Sequence, residues 1–391
     1  GIPVKLFDQS DENLTRGVGT MKKQWESSVR KEKISQDDLN HRMELISRTQ
    51  TLQDFEEVDL VVEAVFENLS LKKQIFSKLD EVVSPSCILA SNTSTLNIDK
   101  IFEDVRRPEN TLGMHFFSPA NVMPLLEVIK GKQSSRETLA TGMAVGSMLG
   151  KTAVLAGNCF GFIGNRMFEV YLREVLFLLE EGALPHELDA ALVAWGFAMG
   201  PCAVCDLAGL DIGYAIRTEL GLTDPVTRPP TTGRYGGTIA DKLVREGRVG
   251  QKAKAGFYDY SSGREGKRDA GVEEMIIATS QELGFTRRTI SAEEVVERCI
   301  VSMVNEGHRL LDEGIAQSPA DIDVVCANGY GARKRTPMHF ADQLGSKKVL
   351  EVVRKWQAQM KNVPHWVPAP GLLDLVRRGD LSRVQKVPYL G

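Results

Sequence analysis

His115 and Glu127 stand twelve residues apart, in Met114-His115-Phe116-Phe117-Ser118-Pro119 and Met123-Pro124-Leu125-Leu126-Glu127-Val128-Ile129. An imidazole can take a proton near neutral pH, and a carboxylate on its other ring nitrogen fixes the tautomer and offsets the charge that forms. Glu127 is flanked by four aliphatic residues and reads as a buried acid inside a strand, which must find a partner. His115, at the end of another apolar run, is the candidate. Alone, His115 reads somewhat better as a structural histidine than as a base. Paired with Glu127 it predicts removal of a proton from a substrate alcohol, the chemistry of an oxidoreductase.

Further polar groups cluster where strands should end. Ser91-Asn92-Thr93-Ser94-Thr95 follows the apolar run 88–90, so its hydroxyls and amide fall at a strand's carboxyl end, the ligand side of an open sheet; the bland alternative is a helix cap before Leu96. Asn158 to Arg166 is a glycine-containing joint in which Asn165 either bonds a substrate carbonyl or caps locally. Glu63 and Glu67 end the most apolar strand of the first part of the chain, with Lys72 about a helical turn beyond; the competing reading is a salt bridge on a solvated helix start. Asp8 directly follows the run 4–7, where nucleotide-binding sheets place an acid for ribose hydroxyls.

The elements that must position these groups follow from the hydrophobic pattern. Runs at 4–7, 60–65, 88–91, 111–115 and 125–129 alternate with helical segments, which predicts a largely parallel α/β sheet up to about residue 156. After Gly157 the pattern turns helical, with Phe168, Tyr171, Val175, Leu178 and Leu179 on one stripe. Leu178-Leu179-Glu180-Glu181-Gly182, with Pro185 and Asp189 beyond, recurs 132 residues later as Leu310-Leu311-Asp312-Glu313-Gly314, with Pro319 and Asp323. Two related all-α domains in tandem are expected, 157–285 and 286–391, after an α/β Rossmann-like domain over 1–156. Segments 224–232 and 261–269 have loop composition.

Composition bounds the rest. The chain has 391 residues, 42% hydrophobic and 26% charged, with a formal charge of −4 and no long run of one sign. It can bury more than one core, and nothing in its charge favours nucleic acid or an anionic membrane. Six scattered cysteines read as reduced thiols; Cys202-x-x-Cys205 lacks the partners of a zinc site, so no metal is expected. No apolar run reaches the ~20 residues of a membrane span. A cytoplasmic setting is expected. The end, Val387-Pro388-Tyr389-Leu390-Gly391, is not the Ser-Lys-Leu peroxisomal address, which leaves a peroxisome as the alternative.

The chain resembles the L-3-hydroxyacyl-CoA dehydrogenase family, and within it the dehydrogenase portion of multifunctional fatty acid β-oxidation enzymes. The resemblance rests on residues 58–68, 91–96, 113–119, 124–129, 157–166, Gly200-Pro201, 206–211 and 256–258, and covers essentially the whole chain. It implies NAD-dependent oxidation of (S)-3-hydroxyacyl-CoA to 3-ketoacyl-CoA, with His115 as base, Glu127 as its orienting carboxylate, and Ser94 and Asn165 holding the substrate's 3-oxygen and thioester region. It implies an NAD site of Asp8 and Gln9 at the ribose, with Ala64, Glu67, Lys72 and Asn92. An acid at position 8 favours NAD over NADP, because a carboxylate repels a 2′-phosphate. The resemblance also implies an upstream enoyl-CoA hydratase domain in the full-length polypeptide, which nothing in these residues matches, and it raises self-association.

Three departures from the family pattern matter: no Gly-x-Gly-x-x-Gly turn precedes Asp8, Ser118 stands where simpler members usually carry Asn, and the second helical domain lacks a His–Glu pair. The turn belongs about 20 residues before the acid, so the Rossmann-like part reads as truncated at its amino terminus. Gly17-Val18-Gly19 follows the acid, lies in a helical pattern and does not replace it. Without that turn the pyrophosphate loses backbone donors, and the competing function is a noncatalytic fragment that binds acyl-CoA or a partner.

Overall fold

The computed structural model of the chain describes residues 1–228 and 233–379. Residues 229–232 of the expected loop, and 380–391, which hold the terminal pentapeptide and the end of the expected second helical domain, lie outside the described residues. The chain forms two compact units, one of residues 1–114 and 130–142, the other of 115–129 and 143 onward.

Unit 1 holds strands β1 (Val4–Phe7), β2 (Ile46–Thr49), β3 (Leu60–Glu63), β4 (Ile88–Ser91) and most of β5 (Thr111–Phe116). Its helices are α1 (Asp11–Arg30), α2 (Gln36–Glu44), α3 (Leu69–Val82), α4 (Ile98–Ile101) and the first half of α5 (Arg136–Met148). The strand ladders are parallel, β1 with β2 from Val4↔Ile46 to Phe7↔Thr49, and β3 with β4 and β4 with β5. Strand β6 (Leu125–Lys130) and β7 (Thr152–Gly157) complete a five-stranded order β3-β4-β5-β6-β7, separate from the β1-β2 pair.

The α/β expectation holds, with differences. Strand β2, Ile-Ser-Arg-Thr, is too short and polar to announce itself by pattern. Strand β3 stops at Glu63, two residues early, because the Val65 N–H turns back onto the Glu63 carboxylate at 2.6 Å. Gly17 and Gly19 lie inside α1, which starts at the Ser10 cap accepting from the Asn13 N–H.

Unit 2 is helical: α6 (Gly164–Glu181), α7 (Pro185–Trp195), α8 (Pro201–Ala208), α9 (Leu210–Glu219), α10 (Thr238–Arg245) and α11 (Ala270–Glu282), then α12 (Ala292–Asp312), α13 (Pro319–Gly329), α14 (Pro337–Leu344), α15 (Ser346–Gln359) and α16 (Pro370–Arg378). The sequence repeat is a structural repeat. In each copy a long helix ends at a glycine of positive φ, Gly182 or Gly314. A helix led by proline follows, and its Asp189 or Asp323 accepts two amide N–H groups at the start of the next helix, Cys202 and Ala203 in one copy and Met338 and His339 in the other. Gly209 or Gly345, both at positive φ, then turns the chain into the fourth helix. Phe177, Val301, Val304, Val353, Trp356, Trp366 and Leu372 form a shared buried core, which is why neither copy need be closed on its own.

Candidate active site

His115 ends β5 and Glu127 lies in β6, both in unit 2 and both buried. His115 Nδ1 and Glu127 Oε2 are 2.8 Å apart. The other carboxylate oxygen, Oε1, accepts the backbone N–H groups of Ile163 at 3.1 Å and Gly164 at 2.9 Å, at the start of α6. A helix amino terminus favours negative charge, so the carboxylate is compensated on both oxygens. Glu127 therefore holds the imidazole on one side and is itself held on the other.

The joint 158–166 is shaped for this contact. Gly161 and Phe162 both adopt left-handed φ, 75° and 51°, a conformation costly for a phenylalanine. It turns the chain so that the next two N–H groups meet Glu127, while the Phe162 ring packs 5.8 Å from the His115 ring. Phe117 covers His115 at 4.6 Å, so aromatic faces border the imidazole. Asn165 lies in the first turn of α6, one residue beyond the amides that bind Glu127, and its Oδ1 accepts the Tyr330 hydroxyl at 2.6 Å.

In unit 1, the groups expected to line a cofactor gather at the ends of β3 and β4. Lys72 is fully buried, with Nζ 2.7 Å from Glu63 Oε1 and 3.4 Å from Glu67 Oε2. A salt bridge is present, but it is enclosed rather than solvated as that reading had it, because Phe76 and Leu79 bury the same face of α3. Glu63 Oε2 accepts the Ser91 hydroxyl at 2.7 Å, and the Asn92 N–H donates to the Glu63 carbonyl, so Glu63 ties the two strand ends together.

Glu67 Oε1 accepts the Thr93 hydroxyl and the Ser94 and Thr95 amides. Burial alone would raise the Glu67 pKa, but these donors and the Lys72 charge outweigh it and hold the carboxyl below its ordinary value. The cap before Leu96 is present: Thr93 accepts the Leu96 N–H at 2.9 Å, and Asn97 caps the short helix that follows, while Ser94 is exposed. Ala64 is exposed beside them.

Asp8 stands at the carboxyl end of β1, where its Oδ1 accepts the Ser10 N–H at 2.8 Å and the Asn13 amide at 3.2 Å. These bonds hold its pKa below the ordinary carboxylate value and keep it ionised, the state that accepts from a ribose hydroxyl. Gln9 is exposed, and its carbonyl accepts from Gln50. Among the described residues no group of three or more His, Cys, Asp or Glu is arranged to hold a metal ion, and no helix is long and apolar enough to cross a membrane. All six cysteines are unpaired with one another; Cys202 is buried and Cys205 partly so.

The sequence reading missed the two amides that clamp Glu127, the Glu63–Ser91 tie and Tyr330. The first had a signal in the paired glycines 161 and 164; Tyr330, between two glycines, reads as a loop residue.

The profile described as "3-hydroxyacyl-CoA dehydrogenase, NAD binding domain" matches residues 1–159, and that described as "3-hydroxyacyl-CoA dehydrogenase, C-terminal domain" matches 161–260 and 295–389. The chain belongs to the 3-hydroxyacyl-CoA dehydrogenase family. Within the family, it is 44% identical over 347 residues to the peroxisomal bifunctional enzyme of Danio rerio, covering 86% of this chain and 48% of that protein. It is 36% identical over 362 residues to the fatty acid oxidation complex subunit alpha of Shewanella amazonensis, covering 92% of this chain and 50% of that one. The chain thus spans about half the length of the curated relatives it matches. Among solved structures, 3-hydroxybutyryl-CoA dehydrogenase from Escherichia coli K12 superposes with a TM-score of 0.82 at 25% identity, over 97% of this chain and 94% of that one. The two C-terminal profile matches in this family member fall on the two helical repeats.

Proposed function

We propose that the protein oxidises (S)-3-hydroxyacyl-CoA to 3-ketoacyl-CoA with NAD in fatty acid β-oxidation. The observation that carries this reading is the buried His115–Glu127 contact with the carboxylate clamped by two helix amides. With Nδ1 committed to Glu127, Nε2 is the ring nitrogen that accepts the proton of the C3 hydroxyl. Glu127 offsets the positive charge that then forms on the ring. Ser94 and Asn165 would hold the 3-oxygen and the thioester region.

The NAD-side residues fit a nicotinamide dinucleotide: Asp8 and Gln9 would receive the adenosine ribose, and Ala64, Glu67 and Asn92 would line the remainder, with Lys72 acting through Glu63 and Glu67. NAD, when bound, supplies the hydride acceptor.

The test is acetoacetyl-CoA-dependent oxidation of NADH by the full-length protein. His115→Gln should lower kcat by ~10² to 10⁴-fold with little change in NADH affinity. A wild-type protein that leaves NADH unoxidised under these conditions refutes the reading.

Three finer points belong to the same proposal. The helical part divides near residue 285 into domains 157–285 and 286–391, following 1–156. An enoyl-CoA hydratase domain accompanies the dehydrogenase in the full-length polypeptide, which hydration of crotonyl-CoA would report. The compartment is peroxisomal rather than the cytoplasmic setting first expected, supported by the names of relatives, and imaging of the tagged full-length protein checks it.

A further inference from the structure

We infer that Tyr330, supplied by the second helical repeat, is a positioning residue of the dehydrogenase site, fixing the side-chain amide of Asn165 through its hydroxyl. The inference rests on the reading of Asn165 as a substrate-binding group. Its basis is geometric: Tyr330 Oη lies 2.6 Å from Asn165 Oδ1, although 165 residues separate them in the chain. A phenol donates here, so Oδ1 is the acceptor, and the amide cannot turn over without placing its NH₂ against a hydroxyl that must then reverse its own bond. Burial, with Glu127 and Cys326 adding to it, pushes the phenol well above its ordinary value, which keeps it a donor at any physiological pH.

The ring is as constrained as the hydroxyl. It stacks on Phe168 at 4.8 Å and 16°, and meets Phe117 edge-on at 5.5 Å and 90°. Phe117 is the residue that covers His115. Gly164 permits this approach, since a Cβ there would lie 2.9 Å from the Phe117 ring and 3.1 Å from that of Tyr330.

One continuous set of contacts therefore runs from Tyr330 through Asn165 to the adjoining amides of Gly164 and Ile163, and on to Glu127 and His115. Tyr330, from the second repeat, thus completes the substrate side of a site whose base pair, His115 and Glu127, stands on β5 and β6. A rigid amide presents its N–H group to the substrate in one orientation, which lowers the ordering cost of binding and of the transition state.

The experiment is a double-mutant cycle in the full-length protein with Tyr330→Phe, Asn165→Ala and the pair, reading kcat and KM for acetoacetyl-CoA, KM for NADH, direct binding of acetoacetyl-CoA by calorimetry, and the thermal midpoint. Tyr330→Phe should lower kcat/KM for acetoacetyl-CoA roughly five- to tenfold, the effect of one hydrogen bond. KM for NADH should not move, the thermal midpoint should shift little because the ring contacts persist, and the effect should vanish in the Asn165→Ala background. An active wild type with Tyr330→Phe unimpaired, or equally impaired with and without Asn165, overturns the role of Tyr330 while leaving the dehydrogenase reading intact. A wild type that neither binds nor reduces acetoacetyl-CoA sinks both.

Discussion

Arg166 and Arg298, 132 residues apart, make the same ion pairs from opposite helices. Arg166 Nε meets Glu306 at 2.5 Å and its two terminal nitrogens meet Glu313 at 2.5 and 2.8 Å. Arg298 Nε meets Glu174 at 2.6 Å and its terminal nitrogens meet Glu181 at 2.5 and 3.1 Å. The glutamates are themselves 132 residues apart, and each arginine near the start of one long helix reaches the end of the other. Helices α6 and α12 are thus antiparallel and related by an internal pseudo-two-fold, so the chain builds within itself the self-complementary contact of a symmetric pair.

The two clusters are not energetically equal. The Arg298 and Glu174 side chains are 0% exposed, whereas Arg166 is 20% and Glu313 48% exposed. Arg298→Ala removes the guanidinium from the buried Glu174 carboxylate, leaving it His365 Nε2 and Trp366 Nε1 alone, and should cost about 3 kcal/mol; Arg166→Ala should cost about 1 to 2. Denaturant unfolding of both variants reports the difference, and equal losses would show that burial does not set the strength of these pairs.

Glu127→Gln preserves shape but replaces one acceptor oxygen by an NH₂ group. Facing the two amides of α6, that group sets a donor against donors; facing His115, it donates to Nδ1 and forces the tautomer protonated at Nε2, which cannot accept the substrate's proton. We expect kcat to fall by at least ~10²-fold with KM for NADH nearly unchanged. Steady-state kinetics decide, and a fall in NADH affinity alone would place Glu127 outside the proton-transfer machinery.

Asp8→Ala removes the ionised acceptor at the end of β1. Affinity for NAD should drop and discrimination against NADP should erode, because the repulsion of a 2′-phosphate goes with the carboxylate. The ratio of kcat/KM for the two cofactors measures this; an unchanged ratio would remove Asp8 from the ribose site.

Asp206 contributes a pH dependence of stability. Its carboxylate is buried and accepts the Phe257 and Tyr258 amides and the Tyr260 hydroxyl, with no cation beside it in these contacts. Burial outweighs those donors and raises its pKa from 3.8 to about 6. Stability from this group is therefore fully present below pH 3.8 and lost as pH rises through about 6, by no more than about 3 kcal/mol at ~1.4 kcal/mol per unit. Thermal midpoints from pH 4 to 7 should show Asp206→Asn with a flatter acid-side dependence than wild type; parallel curves would contradict the shift.

The amino-acid sequence by itself determined the elements and the central pair. Aliphatic flanks around Glu127 demanded a buried partner, His115 was the group within reach, and period-two and period-3.6 patterns laid out most strands and the two long helices. The recurrence of Leu-Leu-Glu-Glu-Gly as Leu-Leu-Asp-Glu-Gly exposed the repeat, because equivalent helix ends need equivalent residues. Only the tertiary structure decided what each polar group does beyond its neighbours in the chain. Lys72 reads as a solvated cation until the face of α3 that carries it is seen to be buried against Glu63 and Glu67. The segment 91–95 reads as a ligand edge or as a helix cap, and only the fold shows that Thr93 takes the Leu96 N–H while its neighbours' amides go to Glu67. Tyr330 has no readable role at all, since its partner is 165 residues away and a hydrogen bond between distant segments leaves no periodicity in either of them. Local pattern records which face of an element is buried, and it carries no record of which other element covers that face.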